Sequence, residues 1–162
     1  MKYACPDRPP RSHLRLRLAL GAAGMAVLLP AISLGGLGAA AASVEADSIQ
    51  FHSNHAFRLT LAYTVHDLTL PNATTVREFV GSDGVVFAVS WQGPMLPDLR
   101  TLLGSHFQSL QSAPRSQPMA HSRLLLETPE LVIRSEGHLR AFAGQAYLPQ
   151  LLPAGVVVAE LH

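Results

Sequence analysis

The first 33 residues combine a basic segment with an apolar one, and this arrangement limits which part of the chain can form the folded domain. Residues 1–17 hold five basic side chains and one acid, and an uncharged apolar run follows from Leu18 to Leu29, where Pro30 interrupts it. A basic stretch, a short apolar core and small residues after it are typical of a secretory signal peptide. We therefore predict that residues 1–33 are an export signal.

Two positions fit cleavage of this signal. One lies after Ser33, and the other lies within Ala39–Ala42, which would start the mature chain near Ser43. The alternative is an uncleaved membrane anchor, since Leu18 to Ala42 carries no charge and is long enough to span a bilayer as a helix. Pro30 and the glycines at 35, 36 and 38 interrupt such a helix. We therefore expect cleavage and no stable membrane insertion afterwards.

Cleavage after Ser33 changes the chemistry of the remaining chain. Seven arginines, no lysine and ten acidic residues remain, which gives a formal charge of −3. Nucleic-acid binding depends on clustered basic side chains, so it is not expected. The only cysteine, Cys5, is removed with the signal, which excludes disulfides and thiolate chemistry from the mature chain. No cofactor is predicted.

The first half of the mature chain predicts one short helix and a small antiparallel meander. Residues 34–42 are small and are expected to be a flexible lead-in, and Ser43 is predicted to cap a helix that ends near His52. Alternating apolar residues from Phe57 to Val65 predict a strand, with a bulge or break near Asp67 where the parity changes. Short turns join it to strands at Thr75–Val80 and Val85–Trp91.

The second half predicts a helix followed by three more strands. Asp98 begins a helix whose apolar residues, from Leu99 to Leu110, recur at spacings of three and four. A loop is predicted at residues 113–121. Three predicted strands follow, at Arg123–Glu127, Leu131–Ser135 and Leu139–Tyr147, and the tail from Pro149 is expected to pack as an extended edge. The fold class is α+β: one domain over residues 43–162, with a meander-like antiparallel β-sheet of about six strands and one or two helices packed on it.

Two strings give the chain a family resemblance. They are Val-Phe-Ala-Val-Ser-Trp-Gln-Gly-Pro at residues 86–94 and His-Leu-Arg-Ala-Phe at residues 138–142. With them the chain resembles an uncharacterised family of small exported proteobacterial proteins, domain of unknown function 2844, over nearly all of residues 34–162. The resemblance implies export and a single compact domain. It implies no reaction, ligand or catalytic residue.

The candidate binding residues are Arg77, Trp91, His138 and Arg140. The period of a strand predicts that His138, Arg140 and Phe142 share one face, and that Arg77 and Phe79 share a face of an earlier strand. If these strands are close, the four residues line a groove for an anion, a peptide terminus or a glycan stacked on the indole ring. In the alternative interpretation the aromatic side chains form the core, and the arginines pair with Glu78, Glu136 or Asp98.

Catalytic and metal-binding patterns are weak in this sequence. His52 and His55 are spaced i, i+3, but no HExxH motif accompanies them, and no G-x-S-x-G motif surrounds a serine. The alternative function is a small envelope hydrolase or a histidine-dependent metal-binding protein that uses His66, His106 or His138.

These observations favour a non-enzymatic binding or structural module exported from a bacterial cell to the periplasm or beyond. Its expected partner is an envelope protein, a peptide or a glycan, and the oligomeric state is left open. In a third interpretation, a strand from another chain completes an edge of the sheet.

Overall fold

The computed structural model describes residues 35–112 and 123–162, so the predicted signal (1–33) and the predicted loop (113–121) lie outside the described residues. Within them no helix has the length and apolar composition needed to cross a bilayer. The strands are β1 Asn54–Leu59, β2 Tyr63–Thr69, β3 Thr75–Gly81, β4 Val86–Gly93, β5 Arg123–Glu127, β6 Val132–His138 and β7 Ala141–Tyr147. The helices are α1 Ala42–Gln50, α2 Leu99–Leu103 and α3 Phe107–Ser112, with a 3-10 turn at Gly104–His106 between the last two.

All seven strands form one antiparallel sheet in the order β1-β2-β3-β4-β7-β6-β5. The first four strands make consecutive hairpins, and the last three form a second meander that joins the first where β7 pairs with β4. The antiparallel α+β architecture is therefore confirmed. The predicted number of strands, about six, falls one short because the sequence pattern concealed a hairpin.

The concealed hairpin lies inside the strand predicted from Phe57 to Val65. The Thr60 N–H donates to the Tyr63 carbonyl over 2.9 Å and turns the chain, so β1 pairs with β2. The predicted bulge or break near Asp67 is wrong, because β2 continues through that residue. The apolar residues change from odd-numbered to even-numbered positions there because Val65 packs on one face of the sheet and Leu68 packs on the other.

One face of the sheet is covered by the helices, and we call it the helical face. Its core contains residues from the six strands β2 to β7, together with residues from the helices and the segment that cover them. The most deeply buried members are Leu37, Val44, Leu68, Val76, Val86, Val89, Trp91, Leu102, Leu103, Leu131, Ile133 and Ala146. Burying each such aliphatic side chain contributes roughly 1.5–3 kcal/mol, so this layer supplies most of the stabilisation.

The other face of the sheet, the open face, is only partly covered. A register shift between Phe79 and Val80 places both Phe87 and Ala88 of β4 on this side, as a bulge does. The C-terminal tail packs against them through Leu161, which is 1% exposed. The tail was predicted as an extended edge. Instead it crosses this face with two 3-10 turns, at Pro149–Leu151 and Val158–Glu160.

The segment 35–41 differs from the flexible lead-in that its composition predicts. Leu37 is 1% exposed in the core of the helical face. The Gly38 N–H donates to the Val86 carbonyl and the Val86 N–H donates to the Ala39 carbonyl. Small residues are required here because the backbone passes close to other groups: a Cβ at Gly36 would overlap the Thr101 carbonyl oxygen. The segment is therefore part of the folded domain.

The two predicted helices form, with corrections at their ends. Asp98 caps α2 as predicted, since its carboxylate accepts a hydrogen bond from the Arg100 N–H over 2.9 Å. The continuous helix expected as far as Leu110 is interrupted at Gly104, which has φ 51° and lies against the backbone of residue 35. Ser43 does not cap α1: Ala41 occupies that position, and the Ser43 hydroxyl donates to the Ala40 carbonyl.

Candidate functional site

The four predicted binding residues do not share one site. Trp91 lies on the helical face and is 2% exposed, packed against the backbone of Gly144. Arg77 lies on the open face, as Phe79 does, and its Nε donates to Asp67 over 2.9 Å. Trp91 and Arg77 are thus on opposite sides of the sheet. The indole ring lies in the core, as the alternative interpretation predicts. Ligand binding by any of the four residues stays a prediction.

His138 and Arg140 lie together at the turn between β6 and β7. Arg140 has φ 65°, a left-handed conformation that an L-residue rarely adopts. The expected common face of His138 and Phe142 is wrong, because the turn reverses the chain between them. His138 pairs with Ala141 on the open face, whereas Phe142 pairs with Gly137 on the helical face and its ring covers that glycine.

A groove of about 410 Å³ opens beside this turn. We call it the turn groove. Its lining residues are Gln92, Gly93, Pro94, Glu136, Gly137, His138, Arg140, Ala141, Phe142 and Ala143. Two predicted residues, His138 and Arg140, are exposed at it, and neither Trp91 nor Arg77 contributes.

The charges around the turn groove favour an anion. Glu136, its one lining acid, is engaged by Arg123, whose Nη2 donates to the Glu136 carboxylate over 2.7 Å. Among the described residues no carboxylate forms an ion pair with Arg140. A guanidinium presents planar, paired N–H donors that match a carboxylate or phosphate. The groove can therefore hold an anionic group while its glycine, proline and alanine walls contact an apolar part of the same ligand.

Sequence reasoning missed a pair of acids buried beneath α1. Glu78 of β3 is 0% exposed and Asp47 of α1 is 1% exposed, and their carboxyl groups contact each other. Asp47 also accepts a hydrogen bond from the backbone of Gly36. A signal was present: Glu78 has the same strand parity as the apolar residues Val76 and Val80.

The two buried carboxyl groups hold a proton near neutral pH. Burial raises the pKa of Glu78 to about 8, and the charge of Asp47 raises it further in the same direction. Burial also raises the pKa of Asp47, to about 6. In the described structure neither Glu78 oxygen, nor Asp47 Oδ2, accepts a hydrogen bond from an N–H or hydroxyl donor. Protonated Glu78 therefore donates to ionised Asp47, which satisfies both groups without two like charges in the core.

A second polar cluster lies next to this pair in the sheet and extends to the surface. His66 of β2 is paired in register with Glu78, and its Nδ1 lies 2.9 Å from His55 Nε2. His55 Nδ1 in turn lies 3.3 Å from the exposed carboxylate of Glu45. Burial, followed by the neighbouring His55, lowers the pKa of His66. His55 is thus hydrogen-bonded to His66. It does not pair with His52, its i, i+3 neighbour in the sequence.

Metal chemistry receives no support from the described residues. Within 35–112 and 123–162, no three histidine, cysteine, aspartate or glutamate side chains are grouped to hold an ion. His106, the other histidine considered, is half-buried with its Nε2 near Gly38.

Comparisons with known proteins define a family without an assigned activity. Neither the curated proteins nor the solved structures contain a match to this chain. The model of the family described as "Protein of unknown function (DUF2844)" matches residues 33–161. The chain belongs to this family.

Proposed function

We propose that this chain is an exported binding module that holds a carboxylate-bearing component of the cell envelope, such as a peptide terminus or a sugar acid, in the turn groove. The single observation that carries the proposal is the placement of Arg140 and His138 at a groove whose one described acid is engaged by Arg123. A ligand carboxylate there meets a guanidinium that pairs with no carboxylate of residues 35–112 and 123–162, with the imidazole beside it.

Export rests on the leader of residues 1–33 and on the composition of the remaining chain. Of the two cleavage positions, we favour the one after Ser33. Leu37 fills the core, and residues 38 and 39 exchange hydrogen bonds with Val86. Cleavage within Ala39–Ala42 removes these contacts from the mature protein and leaves a cavity under α2.

The proposal is tested by titrating the mature protein with small carboxylates. We expect an acetylated alanine tripeptide with a free C-terminus, or glucuronate, to shift the backbone amide resonances of Gly93 and residues 137–143. The same tripeptide with an amidated C-terminus leaves them unchanged. Arg140→Asn weakens binding at least about tenfold, because a charge-assisted hydrogen bond contributes roughly 1.5–3 kcal/mol. Asparagine tolerates the positive φ at this position, so the turn is retained.

The matched control is Arg134→Gln. Arg134 is an exposed arginine on the open face, the face that also carries His138, and it is already paired with Glu127. We expect this variant to bind as the parent does. Equal shifts with the free and amidated tripeptides, no shifts with either carboxylate, or unchanged binding by Arg140→Asn would each contradict the proposal.

A further inference from the structure

The edge strand β1 carries a row of backbone groups without partners in the described structure. It stands first in the sheet order, and all six of its residues are exposed. Thr60 and Tyr63 are hydrogen-bonded at the adjoining turn, and hydrogen-bonded pairs alternate along an antiparallel ladder. Residues 54, 56 and 58 therefore bond to β2. The N–H and C=O groups of His55, Phe57 and Leu59 point outward.

Large apolar side chains accompany these outward backbone groups. Phe57 is 65% exposed and Leu59 is 76% exposed, and both lie on the helical face beside β2. Leu61, at the tip of the adjoining turn, is fully exposed. An edge strand with exposed apolar residues is a template for pairing with another strand.

The opposite edge of the sheet is protected in a way that β1 is not. Both ends of β5 carry ion pairs to β6, Arg123 with Glu136 and Glu127 with Arg134. Charged residues on an edge strand oppose the approach of a second strand. On β1 the one charged residue is Arg58, which lies on the open face and pairs with Asp67 of the neighbouring strand over 3.6 Å. The apolar side of β1 thus has no charged residue of its own.

We propose that β1 is a self-association site, at which β1 of a second copy pairs with it antiparallel about a two-fold axis through Phe57. This register places Phe57 opposite its counterpart and His55 opposite Leu59. All three residues with outward backbone groups then find partners, and the two sheets become continuous, with their helical faces on the same side.

Charge and apolar contacts distinguish this register from the two registers shifted by one residue. An axis through Arg58 would place two guanidinium groups directly opposite each other, which is destabilising. An axis through Ala56 would pair Phe57 with His55 and would leave Leu59 opposite residue 53, beyond the end of β1. The axis through Phe57 instead sets each Arg58 against the small side chain of Ala56.

The open face is also complementary in this register. Ala56 is paired with Asp67 in its own sheet, and the Asp67 side chain is 29% exposed. Each Arg58 already lies 3.6 Å from its own Asp67, and in the dimer it also lies across Ala56 from the Asp67 of the second copy, so it can be shared between the two carboxylates. These shared arginines on one face, and two phenylalanines with two leucines on the other, make the strand complementary to itself.

The first test is the molar mass of the protein purified from the cells that export it, measured by light scattering and sedimentation over a range of concentrations. We expect a dimer that dissociates at least about 100-fold more readily in Phe57→Lys, since lysine at an edge blocks strand pairing. Leu125→Lys is the matched control: Leu125 is 62% exposed on the other edge strand, and this variant stays dimeric. Because Phe57 is largely exposed, its replacement leaves the fold intact, which circular dichroism checks.

The second test fixes the register by oxidation in a Cys5→Ser background. Opposed residues of a hydrogen-bonded pair have Cα atoms about 5.5 Å apart, within the range that a disulfide spans. Phe57→Cys is therefore expected to form a covalent dimer, and Arg58→Cys is not. A monomer at all concentrations, a dimer unaffected by Phe57→Lys, or preferential cross-linking of Arg58→Cys overturns the proposal.

Discussion

The free energy of unfolding is expected to fall by about 2 kcal/mol between about pH 6.5 and pH 8.5, because Glu78 loses its proton inside the core. Its pKa is about 8 in the folded chain and near the ordinary 4.5 when unfolded. A carboxyl group whose pKa is raised by folding stabilises the fold while it is protonated. Its contribution is fully present below the unfolded pKa of about 4.5, declines as the pH rises above that value, and is gone above the folded pKa of about 8. The interval from pH 6.5 to pH 8.5 contains the last part of this decline.

The other titrating groups in the cluster allow this window to be assigned to Glu78. Asp47 has a folded pKa of about 6, so most of its stabilising contribution has already been lost below pH 6.5. The pKa of His66 is lowered from 6.5, so its contribution has the opposite sign and falls away below that pH. Chemical denaturation at several pH values measures the free energy of unfolding, to which all three groups contribute. Above pH 6.5 its decline with pH is due mainly to Glu78.

Glu78→Gln is expected to remove this slope. Its amide N–H donates to Asp47 in place of the carboxyl proton, and no charge develops as the pH rises. If glutamine does not fit, Asp47→Asn provides a second test, since loss of the neighbouring charge moves the decline to lower pH. Glu136→Gln is the control: its ion pair with Arg123 is exposed, and we expect a change below about 0.5 kcal/mol. A parent protein with pH-independent stability, or a Glu78→Gln variant with an unchanged slope, would refute this account of the pair.

Leu37→Ala is expected to lower the free energy of unfolding by about 3 kcal/mol. Leu37 is 1% exposed and packs in the core of the helical face, so its truncation leaves a cavity. Thermal and denaturant unfolding of the protein without its first 33 residues measure the effect. Leu61→Ala, at a fully exposed leucine in the β1–β2 turn, serves as the comparison and should change stability by less than about 0.5 kcal/mol. Similar stabilities for the two variants would show that residues 35–41 do not contribute to the fold.

Local patterns predicted most of the sheet. Strands β3 to β7 were located within a few residues because their apolar residues alternate and turn residues separate them. The β1–β2 turn was missed because Thr60, Leu61 and Ala62 are not typical turn residues, and apolar alternation continues through them. The packed lead-in was missed for another reason: glycine and alanine signal flexibility locally, and their tight fit against α2 and β4 is a tertiary property.

The candidate site was predictable in part. Sequence reasoning selected both Arg140 and His138, but it placed Arg140 on a strand, whereas the turn between β6 and β7 lies at residues 139 and 140. Trp91 and Arg77 were grouped with them because period-two reasoning gives the residues that share a face of one strand, but not the relative orientation of different strands. The pairing of Glu78 with Asp47 joins residues 31 positions apart on different elements. No local pattern contains that information.

Export and binding both depend on one claim, that residues 34–162 form the functional domain outside the inner membrane, and the N-terminal residue of the protein recovered from cells decides it. Sequencing or intact-mass measurement of the protein recovered from the periplasm and the medium is expected to find Leu34 as the first residue. A first residue near Ser43, or an intact chain found only in the cytosol with its leader attached, would contradict the claim.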